Sequence, residues 1–259
     1  MKYKFFLLIL LLLNSCGGGP DIPCISDKFS DHVLAFYPFS NQSLNDLSGN
    51  NPSLLNVGSV KSVSDRNGNT NCAFRFNGDS SQYLTRNGSF LNGIKSKSFS
   101  ISMWYRPLDG ENSRQFLFIK GEAGKTNCDV DSKEEWFIGL HDCERLSFTI
   151  NKKVRIENFP LLWQDNSIKQ KCKEEINLYN DKWHHIVFTY DNTNLNIYRN
   201  GKKSERDTQN TSCGSLLDDQ GNLYLGRYYI GDIDDLIIFD KVLNQSDVDA
   251  LYSTLGCCL

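Results

Sequence analysis

Trp183-His184-His185-Ile186-Val187-Phe188-Thr189-Tyr190 runs into Asp191-Asn192-Thr193-Asn194, then Leu195-Asn196-Ile197-Tyr198-Arg199 and Asn200-Gly201. β-Branched and aromatic residues fill both runs, and Asn, Asp and Gly fill the joints. This is the pattern of a strand hairpin that ends in a second turn. Working outward, Cys72 to Phe76 and Ser98 to Met103 alternate with period two, which puts Phe74 and Phe76, or Phe99, Ile101 and Met103, on one face. Leu146, Phe148 and Ile150 repeat the spacing, and a last strand is expected over Ile233 to Phe239. One helix signal follows it: Ser246 as cap, Asp249 completing a capping-box spacing, and Val248, Leu251 and Tyr252 as one apolar stripe. No strand leads into a long helical crossover, which argues against a parallel α/β sheet. The expected class is all-β, a two-sheet antiparallel sandwich with a short C-terminal helix.

The 259 residues, 39% hydrophobic and 12% aromatic, suffice for one large sandwich with a sizeable core. Residues 1–15 read as a secretion signal. Lys2 and Lys4 precede an apolar run from Phe5 to Leu13, less than half of the roughly 20 residues a membrane-crossing helix needs. Leu13-Asn14-Ser15-Cys16 resembles the lipobox of bacterial lipoproteins, which implies cleavage before Cys16 and attachment of diacylglycerol and an acyl chain to that cysteine. Residues 16–30 then form the lipidated cysteine and a tether that opens with Gly17-Gly18-Gly19-Pro20. Such a chain is exported and held on a bacterial membrane, facing the periplasm or the cell surface. Without the first fifteen residues the charge falls from −3 to −5, with 26 basic against 31 acidic groups. That balance argues against a nucleic-acid partner.

Eight further cysteines remain: Cys24, Cys72, Cys128, Cys143, Cys172, Cys213, Cys257 and Cys258. An even number in an exported chain predicts disulfides, and the absence of Cys-x-x-Cys argues against zinc. Cys128 with Cys143, and Cys24 with Cys257 or Cys258, are plausible pairs among many connectivities. A Cys257–Cys258 bridge would strain the peptide between them.

Read in order, several segments resemble the laminin-G-like, concanavalin A-like jelly-roll family. They are Leu34 to Phe39 with Asn45 to Asn51, Ala73 to Gly78, Phe99 to Trp104, Trp183 to Asp191, Leu195 to Gly201, and Gly231 to Leu236. The resemblance implies a jelly-roll domain over 31–259. It also marks the stretch around 121–181 as longer than the family needs, with Asn158 to Asn180 as an inserted, disulfide-held loop. Loops on a rigid scaffold often carry binding.

Asp46, Ser48, Asn50 and Asn51 gather hard oxygens within one turn, the ligand chemistry that calcium selects. The resemblance implies a structural calcium shared with the closing strand, and the candidate set is Asp46, Ser48, Asn50 and Asp234. The competing reading makes them turn residues that bond their own backbone. His184 and His185 are adjacent on a strand and point to opposite faces, so they cannot converge on one ion. One ring is expected inside and the other in solvent or against a polar neighbour. The family includes glycan hydrolases, which need two carboxylates across the scissile bond. Their Glu-x-Asp-x-x-Glu strand is absent here. Asp232 and Asp234 share a face, but the resemblance gives their strand a structural role, and no Gly-x-Ser-x-Gly elbow occurs. The expected activity is therefore non-catalytic binding of a carbohydrate or protein ligand. A structural or adhesive protein and a glycan hydrolase are the alternatives. Sugars pack on exposed rings. Trp104 and Trp183 sit in motifs that the family buries, while Trp136, Trp163, Tyr228 and Tyr229 are candidates for exposure. Trp163, Tyr228 and Tyr229 are the preferred ligand-binding set.

Overall fold

Ten residues, Ile230–Phe239, form the longest strand of the computed structural model, which describes residues 22–108, 115–121, 134–141, 145–157, 179–205, 208–210, 221–254 and 256. Numbered in chain order, the strands are β1 (Val33–Tyr37), β2 (Leu55–Val57), β3 (Lys61–Val63), β4 (Ala73–Asn77), β5 (Tyr83–Arg86), β6 (Phe99–Pro107), β7 (Gln115–Gly121) and β8 (Glu134–His141). They continue with β9 (Arg145–Ile150), β10 (Lys153–Ile156), β11 (His184–Tyr190), β12 (Leu195–Arg199), β13 (Lys202–Lys203), β14 (Gln209–Asn210), β15 (Asn222–Leu225) and β16 (Ile230–Phe239). Two helices, α1 (Asp27–Ser30) and α2 (Gln245–Ser253), flank the set. Among the described residues these strands form two sheets. The first runs β13-β12-β11-β6-β16-β4-β3 with β1 also paired to β16, and the second runs β14-β10-β9-β8-β7-β15-β5-β2. The expected all-β antiparallel sandwich with one short C-terminal helix is what the chain adopts. The lengthened stretch contributes β8, β9 and β10 to the second sheet, while its portion 158–178 lies outside the described residues.

The core lies between the sheets and is aromatic. Phe99, Ile101, Met103, Ile186 and Phe188 of the first sheet meet Phe118, Trp136, Ile138 and Phe148 of the second, all buried. Trp136 lies 5.0 Å from Phe118 and 5.3 Å from Phe99, centroid to centroid. It is 0% exposed, so the expectation of an outward Trp136 is corrected. The apolar run Trp136-Phe137-Ile138 hides the period-two signal that would have assigned its face. Trp104 and Trp183, expected to be buried, are instead half-buried on the first sheet.

The outer face of the first sheet is not left to solvent. Ile22 and Phe29 bury against Phe36, Ile237 and Phe239, and Val248 and Leu251 of α2 join the same cluster. Ile22 and Phe29, which lie within the expected tether, therefore pack as part of the domain. Asn244, not Ser246, caps α2. Its side chain accepts the Asp247 amide at 3.1 Å, and the Asp247 carboxylate accepts the Asn244 amide at 3.2 Å. Lys28 at 2.7 Å and Lys241 at 3.2 Å draw Asp247 into this position, two residues earlier than the Asp249 spacing suggested. Cys24 and Cys72 are both disulfide-bonded, while the other six candidate cysteines and Cys16 lie outside the described residues.

Because Trp136 joins the sheets at the middle of the core, Trp136→Ala should lower unfolding free energy by about 3–5 kcal/mol, checked by urea titration. A loss under about 1 kcal/mol would mean that the core does not close around this ring.

Candidate functional site

β15 leaves the second sheet through the turn Gly226–Tyr229. Gly226 has φ +74°, and a Cβ there would meet the Phe76 ring at 2.2 Å, so only glycine lets the backbone rest on that ring. The Gly226 amide donates to Leu117 O at 2.9 Å, the Tyr229 amide to Gly226 O at 3.1 Å, and the Ile230 amide to Gln115 Oε1 at 2.8 Å. Held this way, the turn sends its two tyrosines in opposite directions. Tyr229 goes inward, is 0% exposed, and donates its hydroxyl to Asp232 O at 3.4 Å. The expectation that Tyr229 meets a ligand is thus corrected. Tyr228, at φ +62°, stays half-buried outside the core, 6.4 Å from Phe116.

Three residues that the sequence reading missed complete the surface around Tyr228. On β15, Leu223 and Leu225 face the core, so Tyr224 points outward, and Tyr83 of the neighbouring β5 meets it edge-on at 5.1 Å. The Arg227 guanidinium lies 5.2 Å from the Tyr83 ring, 5.0 Å from Tyr224 and 5.4 Å from Tyr228, all within cation–π range. Asn222 Nδ2 donates to the Tyr224 hydroxyl at 3.5 Å. Beneath, Phe116, Ile119 and Phe137 form a separate buried cluster on which Tyr224 and Tyr228 pack. The result is a half-exposed set of rings with polar tips around one fixed positive charge. Its sequence signal was the outward position of Tyr224 between two core leucines. Trp163, the remaining predicted ligand residue, lies outside the described residues. A second, polar groove of about 1020 Å³ at the far edge is lined by Arg155, Asp191, Asn194, Asn196, Lys203 and Glu205, with no aromatic ring among its described lining residues.

The proposed calcium ligands do not fit a metal. Asp46 Oδ1 accepts the amides of Phe36 (2.8 Å) and Ser48 (3.0 Å). Its Oδ2 accepts the Ser48 hydroxyl (2.7 Å), the Asn51 amide (2.9 Å) and Asn51 Nδ2 (3.0 Å). Five donors occupy the carboxylate, and a cation would have to displace them. Asn50 Nδ2 in turn donates to Val33 O at 3.1 Å, so this loop is an Asx-type clasp on β1. Asp234 is held instead by Arg66 at 2.9 Å. Burial, and then Asp235 beside it, push the Asp234 carboxyl well above the ordinary range, with Arg66 pulling the other way. Among the described residues, no three His, Cys, Asp or Glu side chains are grouped to hold a metal.

His184 and His185 face opposite sides of β11 and both are buried, so of the two alternatives for the second ring it is the polar neighbour, not solvent, that the structure supplies. The helices cover the face that His185 occupies. Ser102 Oγ lies 2.8 Å from His185 Nε2, and the imidazole packs 5.2 Å from Trp104 and 6.0 Å from Tyr252. His185 and Ser102 also line a cavity of about 30 Å³, room for about one water. Burial first, then Arg66, lowers the His185 pKa to about 3; burial chiefly lowers that of His184 to about 4. Among the described residues neither ring is grouped with other metal-ligating side chains.

A family model described as the concanavalin A-like lectin/glucanases superfamily matches residues 77–249. No curated protein sequence matches. Among solved structures, the chain is similar to the binding domain of Paraclostridial mosquitocidal protein 1, with 22% identity over 86% of this chain and 52% of that one, TM-score 0.59. It is similar to a botulinum neurotoxin type C structure, with 20% identity over 87% and 51%, TM-score 0.57; that toxin's cell entry is described as dependent upon interaction with two ganglioside molecules. It is also similar to domain 4 of AbnA, a GH43 extracellular arabinanase from Geobacillus stearothermophilus in complex with arabinotriose, with 18% identity over 86% and 98%, TM-score 0.56. The chain spans about half the length of the two toxin chains. At these identities the likeness is one of fold.

The buried imidazole of His185 gives a test of this geometry. Its folded pKa, about 3, lies below the unfolded value of 6.5. The unfolded state therefore binds the proton first, and the stability due to the neutral ring is complete above pH 6.5 and lost as pH falls toward 3. Thermal unfolding followed across that window should show a falling Tm, with a shallower fall in His185→Gln. Equal slopes in both proteins would place the imidazole in water.

Proposed function

Because the chain belongs to the concanavalin A-like lectin/glucanases superfamily, we propose that it is a lectin-like binding protein whose ligand is a glycan held on Tyr83, Tyr224, Arg227 and Tyr228. The observation that carries this reading is the guanidinium of Arg227 set within 5.4 Å of three half-exposed tyrosine rings. A pyranose offers a C–H face that packs on such rings and hydroxyls that meet their polar tips. The positive charge among the rings suits a carboxylated sugar, since guanidinium and carboxylate are matched in charge and shape. The ganglioside-dependent toxin and the arabinotriose-bound domain share this fold, which supports a carbohydrate ligand without fixing the site. The mode of action is non-covalent. Asp232, the acid that shares a face with Asp234, is clamped by Arg75 at 2.7 Å and Arg106 at 2.5 Å, which suits an architectural role better than acid–base chemistry. We infer further that the protein is exported, with Cys16 lipid-modified and the cysteines beyond it paired. The apolar run before Cys16 and the bonded state of Cys24 and Cys72 support this.

The test is an array of neutral and sialylated glycans, followed by titration of any hit. Tyr224→Ala and Arg227→Ala should each raise Kd about tenfold, near the 1.4 kcal/mol scale of one ring or charge contact. Tyr228→Gly should weaken binding similarly while keeping the fold, because glycine takes φ +62° without strain. Tyr252→Ala, in α2 over the first sheet, serves as the control and should bind as wild type. Binding that survives all three platform substitutions would remove the site from these residues.

A further inference from the structure

Arg66 occupies the position in which the sequence reading expected a metal to act. Its Nη1 lies 2.9 Å from Asp234 Oδ2 and 2.7 Å from Asp235 Oδ2, and all three side chains are at most 10% exposed. Adjacent strand residues ordinarily point to opposite faces. Here β16 carries a bulge: Asp234 faces Trp104 while the next register pair is Ile237 with Ser102, and Asp235 takes φ +46°. The extra residue turns both carboxylates toward the same cation. The guanidinium stacks 4.3 Å from the Trp104 ring, and Trp104 stacks on Tyr252 of α2 at 5.9 Å. Arg66 itself is placed by a tight turn. Asp65 Oδ1 accepts the amides of Asn67 and Asn69, both at 2.8 Å, and Asp65 Oδ2 accepts Asn69 Nδ2 at 2.9 Å.

We propose that Arg66 is a built-in counter-cation for Asp234 and Asp235, locking the bulge of β16 and the docking of α2 without any divalent metal. The two carboxylates repel each other beside the guanidinium. The arrangement therefore differs from a calcium site in one checkable respect: replacing one acid by its amide removes that repulsion without removing a metal ligand. Asp234→Asn leaves Arg66 paired with Asp235, and its Tm at neutral pH should equal or exceed that of wild type. The same substitution in a calcium site removes a ligand and lowers Tm.

The experiment uses purified, disulfide-intact protein and reads Tm in EDTA and in millimolar calcium, with tryptophan-sensitised terbium emission as a second signal. Wild type should give the same Tm in both and no emission, although Trp104 stands close enough to sensitise an ion at this position. Arg66→Ala should lose about 10 °C in EDTA, as expected for an unpaired buried charge. Calcium should restore part of that loss, with terbium emission appearing, since the two carboxylates then lack the cation that lies 2.9 and 2.7 Å from them. Arg66→Lys, which keeps the charge but not the planar fork, should fall between the two in EDTA. A calcium-dependent Tm or terbium emission in wild type would overturn the proposal. An Arg66→Ala protein as stable as wild type in EDTA, one that calcium fails to restore, or an Asp234→Asn protein less stable than wild type would each overturn it as well. If Arg66→Ala does not fold, the EDTA arm of wild type and the Asp234→Asn comparison decide.

Discussion

Two carboxylates side by side on the strand that the first sheet is built around present the structure with its hardest electrostatic problem, and Arg66 answers it. β16 pairs with β1, β4 and β6, and its bulge lies between the residues that pair with β4 and those that pair with β1. Burying an unpaired carboxylate costs several kcal/mol, and two together cost more, which is why the position demands a cation. Because that cation is a side chain, its stem and plane also do packing work. Arg66 lies on Trp104, Trp104 on Tyr252, and Tyr252 belongs to the helix that Asp247 fastens to Lys28 and Lys241. Charge pairing on β16 is thereby coupled to the closure of the sheet's outer face, where an antiparallel sandwich is often wet. Ser102 and His185 are buried on that face for this reason.

The second sheet treats its outer face differently. Phe116, Ile119 and Phe137 are buried there, and toward β5 the surface passes to half-exposed tyrosines around Arg227. The left-handed backbone of Tyr228 stores about 1–3 kcal/mol of conformational cost, which persists only where the surroundings over-determine it. They do so here through Gly226 on the Phe76 ring and the bonds to Leu117 and Gln115. A less strained turn would place both tyrosines elsewhere. That the chain keeps this one, with Tyr229 as a core plug and Tyr228 outside, fits a surface selected for contact rather than for stability alone.

Period-two alternation made the sheets legible, because burying one face of a strand writes itself into every second residue. The strands through Phe74, Phe99, Phe148 and Phe188 were readable on that ground. Within turns the rule has no force, so Tyr228 and Tyr229 looked equivalent until the left-handed φ separated them. Trp136 was ambiguous because an unbroken apolar run carries no facing information. The α2 cap shifted because Lys28, distant in sequence, together with Lys241 recruits Asp247. The Arg66–Asp234 pair spans 168 residues of chain, and no local pattern encodes such a contact. The acidic half was visible as a metal-like motif, while the partner that neutralises it was one unremarked arginine.

The two outer faces also constrain how the proposed lipid and the proposed glycan site are arranged. Ile22 is packed on the helix-covered face of the first sheet. Five residues separate it from Cys16, a reach of about 20 Å when fully extended. A lipid on Cys16 would hold that helical face toward its membrane. The tyrosines and Arg227 belong to the other sheet, across a core about 10 Å thick, and face outward from it. A lipid-anchored form would then present the ring platform away from its own bilayer, toward glycans on another surface or free in solution. In that arrangement anchoring and recognition would be separated: the face that closes around Arg66 would bear the proposed attachment, and the half-open face the proposed contact chemistry.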